Sequence, residues 1–255
     1  MKNRDYWLKR AMIDDKLAEK DTEKIVKKLK KELVNTKREI KKELAYLYSD
    51  IDGNNGYAKY RLESVLNSIN SLLDNLYHKE QELLNNSLIE RYMYTYNEKL
   101  EQLNANSSFN MISASLAKEA IKTNWSGLTF SERIWENRRR LALVIKTELN
   151  NGLKRGNSIQ DMSRVVSSKL NVTIKEARRL VRTETCWVQT KATVDSYSKA
   201  GLTQYEFCAY LDGRTSDTCR SLDCKVFDIK DFMPGVNAPP MHCNCRSCIL
   251  PVTKE

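Results

Sequence analysis

The chain has 255 residues, 30% of them charged and 41% apolar, and a formal net charge of +10. That length and apolar content suffice for a sizeable core, which excludes a purely disordered polyelectrolyte. The cationic excess points to an anionic partner, nucleic acid first, although a lysine-biased solvated helical surface gives the same count.

The opening MKNRDYWLKR is polar and no apolar run follows it. Nowhere does the sequence approach the roughly 20 apolar residues that a bilayer span requires. The expectation is a chain made and assembled in the cytoplasm, without a membrane partner.

Only 8 glycines and 4 prolines occur, and all the prolines (Pro234, Pro239, Pro240, Pro251) fall in the last quarter. Scarce punctuation predicts long helices over most of the length and a change of character near residue 200. Residues 1–50 read as one or two long polar helices, with Ile25, Leu29 and Leu33 at helical spacing and then Ile40 and Leu44. DGNNG at 52–56 is a breaker. Residues 58–80 carry a stripe of Leu62, Val65, Leu66, Ile69, Leu72, Leu73 and Leu76, which packs against another helix. A third helical stretch covers roughly 81–104 and includes Tyr92, Tyr94 and Tyr96, a group that either packs or stacks on bases.

NANSSFN at 104–110 reads as a loop, followed by a helix through about residue 122. Ser131 and Glu132 open a helix with apolar Ile134, Trp135, Leu141, Leu143, Val144 and Leu149, and Gly152 and Gly156 end it. Ser158 caps a helix containing Ile159, Met162, Val165 and Val166. Another begins near Thr173, buries Ile174, Ala177, Leu180 and Val181, and stops at Gly201. Beyond it QYEFCAYL alternates as a strand, DGRTSDTC is turn-rich, and KVFDI pairs as a second strand. The fold class is mainly α: a long-helix body with a small C-terminal α+β module that zinc would staple. Three regions follow, an extended helical region at 1–122, further helices at 123–201 and a Cys/His-rich, strand-containing module at 202–255.

All seven cysteines lie after residue 185. An odd, clustered set in a chain without a secretory signal argues against a disulfide framework and for metal or buried thiols. The ligand pattern is Cys219 and Cys224, then His242, Cys245 and Cys248: two knuckles separated by a loop, as in structural zinc sites. Cys219, His242 and Cys245 head the set, with Cys224 or Cys248 completing it. Small buried hydrophobic thiols would give a similar composition.

Catalytic patterns fit poorly. A zinc deaminase needs H-x-E with P-C-x-x-C, whereas Cys243 and Asn244 follow His242. No spacing singles out carboxylates for a nuclease, so the expectation is a chain that is not an enzyme. Arg138, Arg139 and Arg140, with Arg155, Arg178 and Arg179, supply guanidinium forks suited to phosphate or to an acidic partner.

Several ordered stretches carry a resemblance: RRLVRTET at 178–185, the helix on to KAG at 199–201, YLDGRTSDTCRSLDCKVF at 210–227 and APPMHCNCRSCILP at 238–251. Upstream, WSGLTFSERIWENRRRL at 125–141 and GLKRGNSIQDMSR at 152–164 join them. Together they resemble the phage Mu F-type head morphogenesis family, also described as the SPP1-type minor capsid family. The sequence departs from the family pattern at Ser216, where many members carry Cys, and at Cys224, where Gly is usual. Cys243 replaces a common Pro, and the final Cys-Arg-Cys reads Cys245-Arg246-Ser247-Cys248.

The resemblance implies a virion-interior protein, built into the procapsid in few copies and associated with the portal protein and with capsid and scaffold proteins. It would lie near packaged double-stranded DNA, bind it without sequence preference, and act in packaging or genome delivery. It also implies an ion pair between Arg182 and Glu184. The contrasting reading is a metal-dependent nuclease or a delivered effector.

Overall fold

A computed structural model describes residues 4–48, 55–104 and 114–253. Five helices come first: α1 (Arg4–Tyr48), α2 (Asn55–Gln102), α3 (Ala114–Ile121), α4 (Phe130–Lys154) and α5 (Ile159–Lys199). A three-stranded antiparallel sheet of order β2-β1-β3 follows, from β1 (Gln204–Cys208), β2 (Val226–Asp228) and β3 (Cys248–Pro251), with the short helix α6 (Asp217–Leu222) between β1 and β2. This is the mainly α plan with a small C-terminal strand-containing module.

Two expected breaks are absent. Residues 58–80 and 81–104 form one helix, because the buried row Val65, Ile69, Leu73, Leu76 continues without a Gly or Pro through Leu84, Leu88 and Tyr92. The breaker DGNNG lies outside the described residues at 52–54, and Asn55 and Gly56 open α2. Likewise α5 runs unbroken through Thr173, whose hydroxyl donates to the Leu170 carbonyl at 2.7 Å and so satisfies itself inside the helix. The loop expected at 104–110 falls, from residue 105 on, outside the described residues. The sequence reading missed β3, which packs two apolar residues, Ile249 and Leu250, into the Pro-rich tail.

The chain forms two compact units, each assembled from separated stretches. One comprises residues 24–83 and 131–178, the other residues 1–23, 84–130 and 179–255. We call them the helical unit and the mixed unit.

In the helical unit, stretches of α1, α2, α4 and α5 bury rows of aliphatics: Ile25, Leu29, Leu33 and Ile40; Val65, Ile69 and Leu73; Ile134, Leu141, Ile145 and Leu149; Met162, Val166 and Leu170. Leu143, expected on that apolar face, points to solvent. Gly152 lies within α4 and not beyond its end. A Cβ there would meet the Met162 sulfur at 2.5 Å, so α4 and α5 approach closely at this glycine and a larger residue would have to displace the Met162 side chain. Polar ties cross the same unit: Trp135 Nε1 donates to Gln81 at 2.9 Å, and Arg138 Nε pairs with Asp74 at 2.7 Å. The outward face of α1 carries Lys24, Lys27, Lys28, Lys31, Arg38 and Lys42, all exposed and spaced three or four residues apart or by multiples of that turn.

In the mixed unit, α5 is buried along nearly its whole circumference from Leu180 to Val188. It ends in a left-handed Gly201 (φ +80°), where Leu202 N bonds back to Tyr197 O at 3.0 Å. The sheet lies against this helix: Tyr197, Tyr205 and Ile249 share one apolar cluster, while Trp7 of α1 covers Cys208 and Leu250. Tyr92 and Tyr96 are buried and stacked with centroids 6.4 Å apart, and Tyr92 donates to Asp195, so these two tyrosines serve packing; Tyr94 is exposed beneath Arg91.

Candidate metal centre

Two loops build the centre. The first, residues 210–216, is closed on itself: Thr215 donates to the Tyr210 carbonyl at 2.6 Å and accepts from Asp212 N at 2.8 Å, while Asp212 accepts from Arg214 N at 2.8 Å. These are the local side-chain turns that Asp and Thr favour. Ser216 then caps α6, its Oγ accepting from Cys219 N at 3.2 Å, and this cap turns Cys219 inward.

The second loop, residues 242–247, turns through Asn244 at φ +60°, with Cys245 N bonding His242 O at 3.2 Å. Asn244 N donates to Thr183 on α5 at 3.1 Å, which ties the turn to the long helix. Arg246 joins the loops by a bidentate pair with Asp212 at 2.8 and 2.7 Å, its guanidinium lying over the Tyr210 ring. The Arg246 hydrogen bond, aided by the Arg214 backbone, holds the Asp212 carboxyl well below the usual carboxylate range.

The loops bring together Cys219, His242 and Cys245, whose ligand atoms all lie within 4.8 Å of one another. Cys219 Sγ is 3.4 Å from His242 Nε2 and 3.9 Å from Cys245 Sγ. Tetrahedral zinc, with its ordinary bond lengths, sets such ligands about 3.5 Å apart for sulfur and nitrogen and about 3.8 Å apart for two sulfurs. His242 Nδ1 lies 2.9 Å from the Cys243 carbonyl, which can only accept. The proton therefore sits on Nδ1 and the Nε2 lone pair faces the sulfurs, as a backbone carbonyl behind a metal-binding histidine arranges. The donor set and its spacing fit a thiophilic divalent ion.

Both sulfurs sit in an apolar seat with Cys186, Phe207 and Ala209. The adjoining Cys245 sulfur, then burial, pushes the Cys219 thiol far up, and Cys186 beside it holds the Cys245 thiol up at about 11. Without a metal these are neutral thiols, so binding one must release protons.

The other two expected ligands stand elsewhere. Cys224 is exposed at φ +62°, its sulfur accepting from Arg4 at 3.2 Å. Cys248 faces Cys208 across the β1–β3 ladder and bonds to its thiol. Both backbones are held by the sheet, Cys248 within a strand and Cys224 by its amide bond to Phe207 O at 2.9 Å, and neither thiol is among the grouped ligand atoms. The residues that sequence reasoning missed are Arg246, Thr183 and Cys186; only the Asp-Gly-Arg turn signal hinted at Asp212 as an organiser.

The structure gives Arg182 to Asp15 and to Glu19 of α1, the latter at 2.8 Å. Glu184, two residues on and so on another face of the helix, accepts from the Trp125 indole at 3.2 Å. Arg138 is engaged by Asp74, and Arg140 by Glu176 at 2.6 Å. Arg139 (beside Glu136 at 3.7 Å), Arg155 and Arg179 are exposed, and Arg178 is half-buried.

Residues 144–250, which contain the whole cluster and both loops, match the model of a family described as Phage Mu protein F like protein. The minor head protein GP7 of Bacillus phage SPP1 is 26% identical over 215 residues, covering 79% of this chain and 66% of that protein. The NAD(+)–arginine ADP-ribosyltransferase EFV of Enterococcus faecalis (strain ATCC 700802 / V583) is 25% identical over 216 residues, 73% of this chain and 42% of that protein. The chain thus spans less than two thirds of the length of either relative. No solved structure matches it.

Proposed function

We propose that this chain, whose residues 144–250 match the Phage Mu protein F like family, is a phage head protein. In this reading it is a minor component built into the head beside the portal, in company with capsid and scaffold proteins. It acts there in procapsid assembly and in genome packaging or delivery. The observation that carries the reading is that the span of the family match contains the Cys/His cluster and the Asp212–Arg246 clamp. The similarity to a minor head protein over 79% of the chain supports it.

Non-specific affinity for double-stranded DNA is part of the proposal. The helical unit holds 23 Lys and Arg against 14 Asp and Glu, whereas the mixed unit holds 20 against 19. Nearly all the cationic excess therefore lies in the helical unit, and the lysine row of α1 is its most regular stripe. A structural zinc at Cys219, His242 and Cys245 supplies folding free energy to a module with little apolar surface of its own.

We read the chain as non-enzymatic. Arg182, Glu184 and Asp212, three charged residues of its motifs, are engaged in structural contacts. Mass spectrometry of purified heads from the phage encoding this chain tests the reading. A few copies per head, lost together with the portal when the portal is deleted, are expected. Absence from heads, or metal-dependent DNA cleavage by the purified chain that His242→Ala abolishes, would overturn it in favour of a nuclease or delivered effector.

A further inference from the structure

Three protein ligands leave a four-coordinate metal one corner short. Three side chains with a donor atom stand beside the cluster among the described residues, Ser216, Cys186 and Ser247, the last buried and bonded to the Cys219 thiol. A fourth ligand must lie within one tetrahedral edge of the other three, about 3.3 Å between nitrogen and oxygen and about 3.8 Å between sulfurs. Ser216 Oγ is 3.0 Å from His242 Nε2 and also bonds the Cys219 thiol, so it faces two of the three ligand atoms. Cys186 reaches Cys245 and the Ser247 carbonyl, the latter at 3.9 Å; among the described residues no bond joins it to Cys219 or His242.

The two sides also differ in access. Cys186 is buried in the apolar seat, beside Cys245. Ser216 is half-buried and His242 exposed, so solvent reaches the cluster from the serine side. With no metal present, the Ser216 hydroxyl donates to the Nε2 lone pair that the Cys243 carbonyl has oriented. A metal taking that lone pair turns the O–H away and leaves an oxygen lone pair at the vacant corner. Cys219 N–H still holds the oxygen in place. A neutral hydroxyl is a far weaker ligand than a thiolate.

We propose that a metal held by Cys219, His242 and Cys245 has an exchangeable fourth position on the Ser216 side. The Ser216 hydroxyl fills it and a small anionic Lewis base displaces that hydroxyl. The inference rests on the metal reading above, and one experiment separates the two.

The full chain is loaded with Co(II) and its absorption recorded while azide is added. Expected are thiolate-to-cobalt charge-transfer bands with the intensity of two thiolates, and visible bands that shift saturably with azide. Cys186→Ala leaves the spectrum unchanged, and Ser216→Ala still binds cobalt and still responds to azide. Ser216→Cys adds a third thiolate's intensity, abolishes the azide response and tightens cobalt binding by about tenfold or more. Bands without an azide response, or intensity lost in Cys186→Ala, would overturn the open position alone. No cobalt bands at all would remove the metal reading and this one with it.

Discussion

The two units of this chain solve the same packing problem with different materials. The helical unit is held by aliphatic rows on four helical stretches and carries a net charge of +9; the mixed unit carries +1 and is cross-tied by ion pairs and by clustered thiols. In the mixed unit Lys99 pairs with Asp14 at 2.5 Å, Arg91 with Asp21, Arg10 with Glu98 and Arg182 with Asp15, all joining α1 to α2 or α5. These four cations are engaged inside the fold, whereas the α1 row of the helical unit is exposed, with Arg38 and Lys42 beside Glu39. Charge that folds a protein and charge that meets a partner are thus separated along the same helices.

The largest effect should come from the cluster. Cys219→Ser or Cys245→Ser removes a thiolate ligand, and because structural metal binding is itself folding free energy, of order 10 kcal/mol, the module at 202–253 should lose protection from hydrogen exchange while helical-unit amides keep theirs. Equal loss in both units would break the comparison.

Next is Arg182→Ala. It leaves a half-buried Asp15 and a half-exposed Glu19 without this guanidinium, so unfolding by urea should show destabilisation of about 2 kcal/mol.

In the helical unit the corresponding liability is Glu80, 5% exposed, whose carboxyl burial, and secondarily Glu176, push up to about 8. The folded state holds this proton more tightly than the unfolded chain, where the carboxyl titrates near its ordinary value of about 4.3. Stability therefore falls as pH rises between the two values. Glu80→Gln should remove that fall and gain on the order of 2 kcal/mol at pH 8 but little at pH 4, as read from melting at each pH.

The smallest effect per residue is on DNA. Each of Lys27→Gln, Lys31→Gln and Lys42→Gln should lower the slope of log affinity against log salt by roughly 0.9, while Arg214→Gln in the mixed unit leaves it unchanged. The reverse pattern would move the DNA face to the mixed unit.

Sequence reading was most successful where one physical term dominates. Helical periodicity in α1, α2 and α4 follows apolar spacing, and the scarcity of Gly and Pro announced the length of the helices. It failed at helix continuity through residue 81 and Thr173, because polar residues there read as punctuation although none of them disrupts a helix. For the cluster, Cys219, His242 and Cys245 could be ranked from knuckle spacing. Excluding Cys224 and Cys248 required the strand register that opposes Cys208 to Cys248, which no local pattern encodes. The Arg182 partners lie 167 and 163 residues away in sequence, and no spacing rule reaches that far.

The most direct measurement is the metal content of the full chain purified without chelator, by elemental analysis, with melting recorded before and after EDTA. The account predicts one zinc per chain and a lowered melting temperature once it is removed, reversed by added zinc. A metal-free chain whose melting is indifferent to both EDTA and zinc would contradict it, leaving Cys219, His242 and Cys245 as packed thiols beside a histidine.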